Sequence, residues 1–227
     1  MTAYFHTKTY KAKNSKKIMF FFPAGFTKMW QYRWTVFLIN RMGITVIGFD
    51  FAWRSAIREY DFNDFIDLIK QVDKTVDEVI SNNSIEVEYS VLGLSFGSVL
   101  SLYTAKMHEN IKSVILFVPY RTLSHLLWTH KPSRPFIETL MQNGLKTEKE
   151  LEKLTLPVET LYQLEKLKDR KIVSFLGKSD KIVFDGAKLV DAIKQEGIDA
   201  TFYESRFGHF GTSVLGILHK SKWDKVF

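Results

Sequence analysis

Two kinds of apolar pattern alternate along this chain. Segments such as KIMFFF (17–22), ITVIGFDF (44–51), KSVILFV (112–118) and KIVSFLG (171–177) are short, nearly unbroken runs of branched and aromatic residues. That is the pattern of strands covered on both faces. EVEYSVLGL (86–94) and DATFYES (199–205) read as two more strands. Between them the apolar positions take helical spacing, as in MWQYRWTVFLIN (29–40), FGSVLSLYTAKMHE (96–109) and GAKLVDAIKQEG (186–197). Phe62, Phe65, Ile66, Ile69, Val72, Val76, Val79 and Ile80 recur at steps of three and four, one face of an amphipathic helix. Strands separated by helices require right-handed crossovers, so an α/β fold is predicted, with a mostly parallel sheet and helices on both faces. At the N-terminus, TYKAK (9–13) and KIMFFF are separated by NSK, which predicts a hairpin entering the sheet.

One segment breaks the alternation. Residues 122–168 hold helical pieces, Pro132 and Pro135 close together, and no convincing strand. An excursion of this length inside a compact domain is usually a lid or another functional insertion. It is read as a small helical cap over the C-terminal edge of the sheet, within one domain spanning 1–227.

Composition narrows the picture. A chain of 227 residues that is 45% hydrophobic and 25% charged can bury one sizeable core. The absence of cysteine excludes disulfides, cysteine-ligated metals and a thiol nucleophile, and fits a cytoplasmic protein. The apolar run Ile18–Phe26 is too short to cross a bilayer, so no transmembrane segment is expected. The net charge of +7 is local: residues 1–49 contain eight Lys or Arg and no acid, leaving 24 basic against 25 acidic residues from Asp50 onward. Such a field attracts an anionic substrate, an acidic acyl carrier or a membrane surface. A homodimer is the other macromolecular partner considered. No nucleic-acid motif accompanies the basic residues. The histidines lack metal-ligand spacing, and neither G-x-G-x-x-G nor G-x-x-x-x-G-K-[ST] occurs, so no metal and no cofactor are expected.

The candidate chemistry centres on GLSFG (93–97), placed where a strand must turn straight into a helix. Glycines flank Ser95 because a side chain at either position would clash in so tight a bend, and the bend lifts the hydroxyl away from the backbone. The helix that follows aims its N-terminal N–H groups at the same place, favouring negative charge there. The motif in this context resembles the nucleophile elbow of the α/β-hydrolases, with Ser95 as nucleophile.

That resemblance implies an acid and then a histidine, each just beyond a late strand. Asp180 follows KIVSFLG and His209 follows DATFYES, in the family's order, with Asp185 and Asp191 as neighbouring carboxylates. The chemistry needs these types: imidazole takes the serine proton, and a buried carboxylate holds the imidazole in the right tautomer. The resemblance further implies an oxyanion hole formed by the N–H of Phe96 and by a donor in FFPAGFTK (21–28), Phe26 or alternatively Gly25. Here the chain departs from the family, many of whose members have histidine and glycine where PAG stands. Asp50 in GFDFAWRS is expected to order a turn. Trp30, Leu127 and Trp128, with Met29, Trp34 and Leu126 nearby, are candidates to line an apolar acyl pocket. The reading is a cofactor-free serine esterase acting on a small to medium apolar acyl ester. An acyl-carrier thioesterase or acyltransferase, and a ligand-binding relative with little turnover, are the alternatives.

Overall fold

In the computed structural model, the residues described are 5–25, 27–52, 62–180, 186–218 and 223. Seven strands form one sheet: β1 Phe5–Tyr10, β2 Lys17–Phe22, β3 Ile44–Phe51, β4 Glu88–Leu94, β5 Ile111–Phe117, β6 Lys171–Gly177 and β7 Ala200–Ser205. Their order is β1-β3-β2-β4-β5-β6-β7, and every pairing is parallel except β1 with β3.

The predicted hairpin is not formed. β3 lies between β1 and β2, and the first strand begins at Phe5 instead of Thr9. The reason lies in the side chains. Met19 to Phe22 are all fully buried. An unbroken apolar run needs cover on both faces, which only an interior position provides. FHTKTY is largely exposed and suits an edge, where lysine discourages further pairing.

On one face pack the helices α2 (Phe62–Ser81) and α3 (Phe96–Met107). The other carries α1 (Arg33–Arg41), which follows a 3-10 turn at Met29–Tyr32. The core splits accordingly. Phe20, Phe22, Phe49, Val72, Val91 and Leu100 belong to the larger cluster, while Met19, Phe21, Met29, Ile39, Val46 and Phe117 belong to the smaller. Alternate residues of β2 thus fill opposite cores, as the pleat dictates.

Between β5 and β6 the chain forms α4 (Leu123–Thr129), α5 (Arg134–Gln142) and α6 (Glu148–Thr155), with short 3-10 turns and no strand. Leu123, Leu126, Phe136, Leu151 and Leu167 sink into the larger core, so these helices pack on the α2 and α3 side. Two buried charges hold them. Lys106 of α3 donates to the carbonyls of Glu159 and Tyr162 at 2.7 and 2.8 Å. The Glu159 carboxylate accepts from the N–H groups of Leu123 and Ser124 at 2.7 and 2.8 Å and from the Thr155 hydroxyl. It thereby caps α4, whose first N–H groups have no acceptor within the helix. α7 (Gly186–Gln195) joins β6 to β7, and α8 (His209–Leu218) follows β7.

The register lines up the strand ends. Phe22 pairs with Gly93, Leu94 with Phe117, Phe117 with Phe175, and Gly177 with Ser205. The loops that leave these ends therefore gather along one rim of the sheet.

Candidate active site

Ser95 occupies the turn between β4 and α3 with φ 51° and ψ −119°. A side chain in this region is strained by on the order of 1–3 kcal/mol, and surrounding contacts must hold it there. They do: the Ser95 N–H donates to Phe117 O at 2.8 Å, and Ser95 O accepts from the N–H and hydroxyl of Ser98 at 2.8 and 2.6 Å. The two glycines are required by close approach. A Cβ on Gly93 would lie 2.5 Å from Gly97 O, and one on Gly97 would lie 2.1 Å from Phe22 O. The expected clash within the bend is therefore present at Gly93, whereas at Gly97 it is the end of β2 that excludes a side chain.

Asp180 and His209 come from the loops after β6 and β7. Asp180 Oδ2 and His209 Nδ1 are 2.8 Å apart, with the two side chains only 1% and 11% exposed. The loops are drawn together by glycine: a Cβ on Gly177 would meet Phe207 O at 2.7 Å, and one on Gly208 would meet Ser179 O at 3.2 Å. The hydroxyls of Ser205 and Thr212, 2.5 Å apart, tie the end of β7 to α8. A carboxylate held against Nδ1 fixes the ring and leaves Nε2 for proton exchange. Of the other two carboxylates, Asp191 is exposed on α7, and Asp185 lies outside the described residues.

His209 is the first residue of α8, which the apolar pattern did not foretell. In HFGTSVLGIL the apolar positions are interleaved with Gly211, Thr212, Ser213 and Gly216, so its stripe is too short and too mixed to stand out in the sequence.

The loop after β2 meets the elbow. A Cβ on Gly25 would lie 3.5 Å from Cβ of Phe96, the first residue of α3. The Tyr32 hydroxyl pins this loop, 3.3 Å from Ala24 N and 2.9 Å from Thr27 Oγ1, and burial raises the Tyr32 pKa. Phe26 lies outside the described residues. Asp50 sits 3.3 Å from Lys28 Nζ, which also donates to Phe51 O, so a charge pair ties the same loop to the end of β3.

Of the apolar candidates, Leu127 is buried in the larger core and Trp128 is half-buried against it, while Trp30 is exposed. Met29 and Leu126 are core residues, and Trp34 is exposed.

One neighbour of Ser95 escaped the sequence reading. The Tyr120 hydroxyl is 3.5 Å from Ser95 Oγ, and Tyr120 follows Val118, a β-branched residue held at φ 47°. A tyrosine three residues past the end of a buried strand was the available signal. His130, a residue of the insertion, lies close enough to His209 to feel its charge. Burial first, and then that charge, push the His130 pKa down.

No protein-family model matches the chain, and no curated protein matches it. Solved structures do. A lipase in an open form aligns over 98% of this chain and 94% of its own, with a TM-score of 0.70 and 11% identity. An esterase of Pyrobaculum calidifontis aligns over 97% of this chain and 77% of its own (TM-score 0.66, 14% identity). A dienelactone hydrolase of Anabaena variabilis aligns over 96% and 90% (TM-score 0.65, 14% identity).

Proposed function

We propose that this chain, which has the α/β-hydrolase fold, is a serine hydrolase that cleaves carboxylic esters. The observation that carries the reading is the buried 2.8 Å contact between Asp180 and His209, on the same rim of the sheet as the strained turn bearing Ser95. The esterase and lipase among the solved structures of this fold agree with an ester as the substrate class.

In this mechanism Ser95 Oγ attacks the acyl carbon while His209 Nε2 accepts its proton, and Asp180 stabilises the resulting imidazolium. The carbonyl π electrons move onto oxygen, where the Phe96 N–H and a donor from the loop after β2, Gly25 or Phe26, receive the negative charge. Each such donor contributes on the order of 3 kcal/mol to the transition state. Collapse expels the alcohol, protonated by His209, and leaves an acyl-Ser95 ester. Water, deprotonated by the same imidazole, then releases the acid. The helices of 122–168 act as a cap, with Trp128 and Leu127 on its side of the acyl group and Trp30 on the side of the loop after β2.

A fluorophosphonate probe tests this directly. The native chain is expected to label once, and Ser95→Ala not at all. A folded native chain that stays inert, or a substituted chain that labels equally, overturns the proposal.

A further inference from the structure

The helices α1 and α8 cover the smaller core cluster, and both turn apolar side chains outward. Trp30, Trp34 and Phe37 recur at helical spacing and are exposed, Trp34 to 78%, while Val36 and Ile39 fill the core beneath. Phe210, Val214 and Leu218 repeat at intervals of four along α8 and are also exposed, Phe210 to 78%. Single exposed apolar residues are ordinary. Two stripes on the two helices of one face are not, and such patches mark interaction surfaces. Each stripe starts beside the candidate active site, at the 3-10 turn after the Gly25 loop and at the residue after His209.

Along the described residues of these two helices the charge has one sign. Neither Met29–Arg41 nor His209–Leu218 contains an acid. Arg41 holds its guanidinium 5.8 Å over the Phe37 ring, and Lys8 holds Nζ 5.4 Å over Tyr10, which packs on the same core cluster. Asp50, which reaches this side from β3, is engaged by Lys28. Two copies meeting through this face would gather Arg33 and Arg41 of both into one interface with no acid from either helix to pair them, which disfavours self-association. A surface with an apolar interior and negative headgroups suits both features. Tryptophan settles at the headgroup level, and arginine stems lie along apolar ground with the charge in the headgroups.

We propose that the outer face of α1 and α8 docks on an anionic lipid bilayer, bringing the rim of the candidate site to the lipid surface. Docking does not require Ser95 chemistry.

Flotation of the full chain with phosphatidylcholine vesicles, with and without phosphatidylglycerol, tests it. Binding is expected on the anionic vesicles, weakened by salt and by omission of phosphatidylglycerol. Arg33→Gln with Arg41→Gln is expected to lower partitioning about 25-fold, at about fivefold per cation. Trp34→Ser with Phe37→Ser is expected to lower it at least about tenfold, and Ser95→Ala to bind as the native chain does. These side chains are exposed, and circular dichroism checks that each variant is folded. Failure of the native chain to float with anionic vesicles overturns the proposal, including the case in which it is a dimer that Trp34→Ser dissociates. Binding unchanged by both pairs of substitutions overturns it as well.

Discussion

Gly97→Ala tests the packing on which the elbow depends. The added Cβ would sit 2.1 Å from Phe22 O and 2.7 Å from both Phe22 C and Pro23 O, against an ordinary contact of 3.4–4 Å. All three are backbone atoms at the end of β2, a strand paired on both sides, so they cannot rotate away. Helix α3 must retreat instead, loosening Val99 and Leu100 from the core they fill. Overpacking of this kind costs on the order of 3 kcal/mol. For a chain of this size that lowers the melting temperature by about 6–12 °C. Gly43→Ala is the matched control: nothing lies within 4 Å of its added Cβ, and only the φ of 77° opposes it. Left-handed backbone alone costs about 1 kcal/mol, or about 2–4 °C. Thermal unfolding followed by circular dichroism reads both. Fluorophosphonate labelling below the melting point should also slow in Gly97→Ala, because the retreat of α3 carries the Phe96 N–H away from the loop after β2. Gly97→Ala melting at or above Gly43→Ala would refute the close-approach argument.

Three further outcomes are expected. Asp180→Asn should leave the chain folded and reduce labelling and ester turnover by about 10³–10⁴, the size of the effect when a triad carboxylate no longer selects the imidazole tautomer; a loss under tenfold removes Asp180 from the mechanism. Tyr120→Phe should slow labelling by up to about tenfold, the scale of one hydrogen bond, and an unchanged rate would show the 3.5 Å contact with Ser95 to be idle. Burial pushes the Lys106 pKa down from 10.5 to about 8, so between those values the folded chain binds fewer protons than the unfolded one and stability rises with pH. From pH 8 to about 10, urea unfolding should show the native chain gaining about 2 kcal/mol relative to Lys106→Met, a difference in which the ionisation of unfolded tyrosines near pH 10 is common to both chains and cancels; equal slopes would count against the shift.

The apolar patterns located β3 and β6 to the residue and the amphipathic helix starting at Phe62, the GLSFG motif marked the strand-to-helix turn at Ser95, and the family resemblance named Asp180 and His209 as its expected partners. These features are local. A buried strand, an amphipathic stripe and a glycine-flanked turn each depend on residues within a turn or a strand length of one another.

Strand order was not legible in that way. TYKAK and KIMFFF are neighbours in the chain, yet β2 went to the interior of the sheet and the strand before it to the edge, because strands compete for cover across the whole sheet. The start of α8 at His209 likewise went unmarked, since its few apolar positions are interleaved with glycine, serine and threonine. Tyr120, His130 and Lys106 gained their surroundings only when distant segments met: the elbow against the end of β5, the insertion against the loop after β7, and α3 against residues 159–162. Composition and spacing thus determined which local pieces form, whereas the burial and charge that each side chain experiences were decided by long-range packing. Free energies of burial and of charge depend on everything within several ångströms, and most of those atoms lie far away along the chain.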